Sequence, residues 1–151
     1  MNQNTKKEIM LRVAVKKLNK KAVIPSYAKP GDAGLDLTAV SIVSDYIDYI
    51  TYGTGLAMEI PTDYVGLIFP RSSIRNYDLV LSNCVGVIDS GYRGEIQFTF
   101  LKTKNMNSKV YAIGDRIGQI LIMPYPQVTL IEEQDLSETE RGENGFGSSG
   151  K

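Results

Sequence analysis

Three observations predict an all-β domain. Short runs rich in Val, Ile, Thr, Tyr and Phe recur along the chain, among them GLAMEI, YVGLIF, EIQFTFL and GQILIM, and these residue types pack well on a pleated, half-buried surface. Turn formers such as Pro30, Gly53, Pro61, Pro70, Gly91 and Gly114 punctuate the runs, a rhythm that suits a sandwich or barrel. No window sustains a helical period for three turns, so helices are not expected to carry the architecture.

The elements follow in order. Leu11, Val13 and Val15 alternate with Arg12, Ala14 and Lys16, and a period of two marks a strand with one buried face. In PGDAGLDL, residues Pro30 to Leu37, two glycines and two aspartates turn the chain into the next apolar run. VSIVSDYIDYIT adds a β segment whose tyrosine-rich part, Tyr46 to Tyr52, is either core or an extra contact surface. GLAMEI and YVGLIF come next, and Pro70 stops the second. One short helix is expected after Pro70, with Ser72 or Ser73 as its cap. LVLSNCVGVI and EIQFTFL flank IDSGYRG, and this strand, turn, strand pattern predicts a hairpin. KVYAI and GQILIM complete the set. From about Asp135 the composition becomes polar and glycine-rich, which divides the chain into a β domain over 1–134 and an arm over 135–151.

At 151 residues the chain fits one domain with a real core. Seventeen basic residues balance seventeen acidic ones, so there is no net field to hold a nucleic-acid backbone, and the Lys-rich start reads as solvated surface. Cys84 is the single cysteine; an intrachain disulfide and a multi-cysteine metal site are excluded, and a reducing compartment suits it. No signal-like or membrane-length apolar run appears, so the cytoplasm is the expected location and no membrane partner is expected. Histidine is absent. Ser-His-Asp triads, Cys-His dyads and His-ligated zinc are therefore impossible, and a general base must be Asp, Glu, Lys, Tyr or Cys. A carboxylate is the plain candidate, being ionised at neutral pH.

Certain stretches offer chemistry, each beside a plainer reading. In FPRSSIRNY, backbone donors, the Ser72 and Ser73 hydroxyls and the Arg71 guanidinium would converge on one anion, although helix capping explains the serines equally well. VIDSGYRG would place Asp89 and Tyr92 at one rim, but an Asp before Ser-Gly also caps its own turn. A hairpin edge further exposes N–H and C=O groups able to read a base edge as a complementary strand would. For Arg116 and Gln119 in GDRIGQ, a structural ion pair and a solvent-facing amide are the default explanations. The closing RGENGFGSSGK has the composition of a disordered terminus. A lone Phe146 between glycines also suits a lid, in which the ring covers a flat ligand while glycine backbone donors approach an anion.

Taken in order, DAGLDL, PRSS, GVIDSGYRG, GDRIGQ and RGENGFGSSG resemble the five motifs of the trimeric dUTPase family and span residues 32–150. The resemblance implies a distorted jelly-roll subunit, a homotrimer with active sites at subunit contacts, hydrolysis of dUTP to dUMP and pyrophosphate, and Mg2+ carried by the triphosphate. It implies Asp89 as the base that activates the attacking water, Tyr92 as the ring beneath the deoxyribose, and Asn83 with the hairpin backbone as readers of uracil. Asp36 resembles the carboxylate that holds a water on the metal, in keeping with magnesium's habit of retaining waters. Arg71, Ser72, Ser73 and Gln119 match substrate-binding positions on the phosphate side. In the last motif Arg141 would reach the γ-phosphate, Phe146 would stack on uracil, Gly147 would offer a backbone donor, and Ser148 and Ser149 would bind terminal phosphate oxygens. No direct nucleic-acid contact is implied, and the sequence names no regulatory protein partner.

Asn144 and Ser149 stand where Gly and Thr are usual, and Gly91 where many members have Asp. The run IDSGY also resembles the related dCTP deaminases. Their deaminating glutamate lies ten residues after the Asp, and Thr99 stands there in this chain, a residue that cannot shuttle protons to an amine. A nucleotide-sensing trimer without turnover is the non-catalytic alternative, and the intact Asp89 argues against it.

Overall fold

The computed structural model describes residues 11–145 and has the expected all-β architecture. Its strands are β1 Ala14–Lys17, β2 Leu35–Thr38, β3 Ser41–Asp45, β4 Tyr49–Gly53, β5 Leu56–Glu59, β6 Tyr64–Pro70, β7 Leu79–Leu81, β8 Gly86–Ile88, β9 Gln97–Lys102 and β10 Arg116–Pro124. One four-stranded sheet has the order β2-β10-β6-β8, a second has the order β3-β4-β9-β7, and β1 pairs with β5. Every pairing is antiparallel, as in the distorted jelly roll that the resemblance implies.

Alternation along the strands builds the core. In β9 Phe98 and Phe100 are buried while Gln97 and Leu101 are exposed, and in β7 Leu79 and Leu81 are buried around exposed Val80. These side chains join Ile50 and Tyr52 of β4 and, from the other sheet, Leu37, Ile68, Ile117 and Ile120 in one cluster. Burying each large apolar side chain contributes about 1.5–3 kcal/mol. Gly118 permits the closest approach of the two sheets: a Cβ there would lie 2.1 Å from the Phe98 ring. That contact fixes the height of β10, and with it the neighbouring Gln119.

Several expectations are corrected by tertiary pairing. β1 starts at Ala14 and leaves Leu11 exposed, while Val13 and Val15 do pack against the core. VSIVSDYIDYIT divides into β3 and β4 at a turn in which Tyr46 N–H donates to Tyr49 O at 2.8 Å. Tyr46–Tyr52 is consequently both things at once, with Tyr52 and Ile50 in the core and Tyr46 and Ile47 exposed. KVYAI is not a strand; Lys109 is tied to Asp78 by backbone and carboxylate hydrogen bonds, and Tyr111 turns into the core. The helix after Pro70 is a short 3-10 turn over Ser72–Asn76 whose cap position is Arg71, and neither serine caps it by a side-chain hydrogen bond.

The expected hairpin around Asp89 is a corner between the sheets. β8 pairs with β6, whereas β9 pairs with β4 and β7. The reason lies at buried Ile96, whose N–H donates to Leu56 O and whose C=O accepts from Thr54 N–H, drawing the chain away from β8 before β9 begins. After β10 the described residues 125–145 form no strand or helix, and Val128, Leu130, Ile131 and Leu136 are exposed. Among the described residues no helix is long and apolar enough to cross a membrane.

Candidate active site

Strand register assembles a cleft at one end of the β2-β10-β6-β8 sheet. Gln119 pairs with Asp36 on one side and with Phe69 on the other, and residues directly opposite in a ladder project to the same face. The 3-10 turn that follows β6 brings Arg71 and Ser72 to the end of this row. With Gly34, Ala33 and Leu121 they line a cleft of about 630 Å3.

Asp36, Arg71 and Gln119 of the cleft are already paired. Arg71 Nε donates to Asp36 Oδ1 at 2.8 Å and Arg116 Nη1 donates to Asp36 Oδ2 at 2.9 Å. Arg71 Nη1 also reaches the Ser73 hydroxyl, at a long 3.4 Å. Two guanidiniums thus converge on one carboxylate, and with Asp32 also in the lining the charges balance until a guanidinium turns toward an anion. The ion-pair reading of Arg116 is what the structure has. Gln119 is not solvent-facing: its Nε2 donates to Pro70 O at 3.1 Å and it lines the cleft. Gly34 makes room for it, since a Cβ there would stand 2.1 Å from Gln119 Oε1.

A second group of residues lies along β8. This strand is the edge of its sheet, so one side of its backbone is without a ladder partner among the described residues and presents donors and acceptors outward. Exposed Asn83 precedes β8, and exposed Asp89 follows it. Tyr92 N–H donates to the Asp89 carbonyl at 3.0 Å, so the Asp89 backbone closes the turn, and its carboxylate enters no ion pair among the described residues. Tyr92 Oη donates to Glu95 O at 3.1 Å, and the ring folds over Gly94, where a Cβ would lie 2.3 Å from Oη. Gly94 therefore makes room for the ring, and the Glu95 carbonyl tethers its hydroxyl.

The two groups are far apart within one subunit. Ile88 pairs with Gly66, which sets Asp89 level with Val65, four residues along β6 from the row of Phe69 and Gln119. That is roughly 13 Å along the strands, and β2 and β8 are the opposite edges of the sheet. A base acts within about 2.6–3.2 Å of the proton it removes, or through one water. Asp89 cannot serve a phosphate held in the cleft of its own subunit.

Arg141 lies in a turn, where its Nε donates to Asn144 O at 3.1 Å and Gly142, with φ of 50°, donates its N–H to Thr139 O. It does not line the cleft. Phe146, Gly147, Ser148 and Ser149 lie outside the described residues. Sequence reasoning overlooked the buried Tyr111 hydroxyl; a tyrosine inside the otherwise aliphatic stretch VYAI was the available signal. Among the described residues no group of three or more His, Cys, Asp or Glu is arranged to hold a metal ion. Asp36, which with Asp32 is one of the two carboxylates lining the cleft, fits a magnesium ion that arrives on phosphate oxygens and keeps its own waters between itself and the protein.

The dUTPase family model matches residues 20–150. A deoxyuridine 5'-triphosphate nucleotidohydrolase of Thermobifida fusca (strain YX) is 38% identical over 142 residues, 93% of this chain and 79% of that protein. The protein of the same description from Clostridium kluyveri is 38% identical over 144 residues, covering 93% of this chain and 99% of its own. Among solved structures, the dUTPase of Staphylococcus bacteriophage 80alpha with dUPNHPP superposes with a TM-score of 0.83 at 28% identity, over 94% of this chain and 100% of that one.

Proposed function

This chain belongs to the dUTPase family and is a hydrolase of that kind, and on that premise we propose that it cleaves dUTP to dUMP and pyrophosphate in the cytoplasm, limiting uracil incorporation into DNA and supplying dUMP for dTMP synthesis. The observation that supports this reading best is the division of the site: a cleft whose arginines and serine suit phosphates and, at the other end of β6 and β8, an exposed carboxylate close in the chain to an aromatic ring. Each half lacks what the other has. A second copy that sets its β8 corner against this cleft completes the site, which is the physical case for shared active sites in an oligomer, the homotrimer being what the family resemblance implies.

In the assembled site the β8 edge and Asn83 hydrogen-bond uracil, and the Tyr92 ring packs against the deoxyribose where a 2′-hydroxyl would stand. Arg71 turns from Asp36 toward the phosphates, with Ser72, Ser73 and Gln119 beside it. Asp89 takes a proton from a water as its oxygen attacks the α-phosphorus; the bond from that phosphorus to the bridging oxygen breaks and pyrophosphate leaves. General-base assistance of this kind is worth about 10²–10⁴-fold. Asp36 would hold, through a water, a Mg2+ carried by the triphosphate, and that ion would supply charge neutralisation. The arm over 135–151 closes as a lid, with Arg141 toward the γ-phosphate, Phe146 over uracil, and Gly147, Ser148 and Ser149 toward terminal oxygens. Thr99 Oγ1 lies 2.9 Å from Thr51 Oγ1 across the β4–β9 ladder, a cross-strand contact that gives no support to deamination.

Pyrophosphate release from dUTP, dCTP, dTTP and UTP with Mg2+ tests the reading. dUTP is expected to be turned over far faster than the rest, and ammonia from dCTP would overturn it. The shared site is tested by mixing Asp89→Asn subunits with Arg71→Ala subunits. Recovered activity is expected, because one intact corner then meets one intact cleft; no recovery from demonstrated mixed oligomers rejects sharing.

A further inference from the structure

Tyr92 is 45% exposed, so packing alone does not hold its ring. The only hydrogen bond of its side chain among the described residues runs from Oη to Glu95 O at 3.1 Å. The direction of that carbonyl is set from the other end of its peptide unit. A trans peptide is planar, with its C=O and N–H pointing opposite ways. Ile96 N–H donates to Leu56 O at 2.8 Å, which turns the Glu95 C=O away from β5 and toward the tyrosine.

The Glu95 side chain takes a second grip on the same region. Its Oε1 accepts from the Gly55 N–H at 2.7 Å and its Oε2 from the Gln97 amide at 3.0 Å. It enters no ion pair among the described residues, since Arg93 turns instead to Glu59 and to the Ser90 and Tyr92 carbonyls. A half-buried carboxylate without a cation is thus held by charge-assisted hydrogen bonds. The turn from β4 to β5 is shaped to receive it. A Cβ at Gly53 would stand 2.5 Å from Glu95 Oε1, and Gly55, with φ of 66°, has the left-handed backbone that presents its N–H to the carboxylate. Between them, fully buried Thr54 donates both its N–H and its hydroxyl to Ile96 O. The turn is therefore a firm anchor.

We propose that Glu95 is a positioning residue for sugar selection: its carboxylate clamps the corner to the β4–β5 turn, and its carbonyl, held by that clamp, keeps the Tyr92 ring where a ribose 2′-hydroxyl would otherwise fit. Glu95 makes no hydrogen bond to Asp89, so its effect falls on which sugar is admitted rather than on proton transfer. This rests on the reading of Tyr92 as the ring against the deoxyribose.

The test measures pyrophosphate release from dUTP and from UTP by the full chain, and reads the ratio of the two kcat/KM values. Tyr92→Phe keeps the ring and removes only an exposed hydroxyl, so it should melt like the wild type and lower the preference for dUTP about 2- to 10-fold, the worth of one neutral hydrogen bond. Glu95→Ala should lower it by a similar factor, and the double variant should lose no more than either alone. Glu95→Gln should keep the wild-type ratio, because an amide oxygen still accepts from Gly55 N–H and the Gln97 amide can turn its oxygen to the new NH2 group. Tyr92→Ala, which removes the ring itself, should lower the ratio most. An unchanged ratio in Tyr92→Phe, a lowered melting temperature in Glu95→Ala with the ratio unchanged, a Glu95→Gln ratio as low as that of Glu95→Ala, or additive losses each overturns the proposal. An unchanged ratio in Tyr92→Ala would defeat the sugar reading beneath it, and a wild type without preference for dUTP would defeat the functional reading.

Discussion

The cleft and the β8 corner are built on opposite plans. In the cleft the charged groups and the amide are engaged before a ligand arrives: Asp36 holds two arginines, Arg71 reaches Ser73, and Gln119 is bonded to Pro70 O. At the corner, Asp89 is exposed and enters no ion pair among the described residues, and only Tyr92 is fixed, by Gly94 and Glu95. A phosphate site gains from pre-arranged positive groups that resist wandering into water, whereas a general base must keep its lone pairs free for a proton. Substitutions among the engaged groups of the cleft should therefore act on binding, and loss of the Asp89 carboxylate on chemistry alone.

The largest expected effect comes from Asp89→Asn. Turnover of dUTP should fall about 10²–10⁴-fold, while the melting temperature and the affinity for dUPNHPP stay near the wild-type values because the amide replaces an exposed, unengaged carboxylate. Near-normal turnover would reduce Asp89 to a turn residue and erase the contrast between the two regions.

Arg71→Ala should act on binding. It removes one of two partners from Asp36 and the donor to Ser73, and a hydrogen bond to a charged group is worth about 1.5–3 kcal/mol, so KM for dUTP should rise about 10- to 150-fold. Stability should change by no more than about 1 kcal/mol, because the Arg71–Asp36 pair is partly open to solvent and Arg116 remains on the carboxylate. A fall in kcat with KM unchanged would mean that Arg71 acts only in the transition state.

Gly34→Ala is a finer probe of pre-arrangement. The new Cβ collides with the Gln119 amide, the movable end of a flexible side chain, so the amide should leave Pro70 O with little loss of stability. Affinity for dUPNHPP should drop by the worth of one neutral hydrogen bond, about 2- to 10-fold. An unchanged affinity would show that Gln119 is not required where it lies. Gly91→Asp is the matching probe of the corner and should do least. A Cβ at Gly91 meets nothing within 4 Å, so thermal melting should shift by no more than about 0.5 kcal/mol. A large loss would show that the corner is more constrained than its open geometry indicates.

The sequence by itself determined the β class, the punctuation of the strands, and the need for a carboxylate base in a chain without histidine. It also carried the ordered motifs in which Asp36, Arg71, Asp89, Tyr92 and Gln119 stand, because period-two alternation and motif spacing are properties of neighbouring residues. Only the tertiary structure decided which strand each run pairs with. VGVI and EIQFTFL are separated by one short turn, yet they enter different sheets, since the backbone groups of Ile96 are taken by Thr54 and Leu56, distant in the chain. The same holds for the cleft: Asp36 meets Arg71 and Arg116, 35 and 80 residues away, through the register of β10 between β2 and β6. Register and sheet membership depend on long-range packing such as Phe98 against Gly118, which no local pattern encodes. For that reason the distance between Asp89 and the cleft of Arg71 and Gln119 became visible only in the fold, which gives a physical ground to the shared sites that the resemblance had implied.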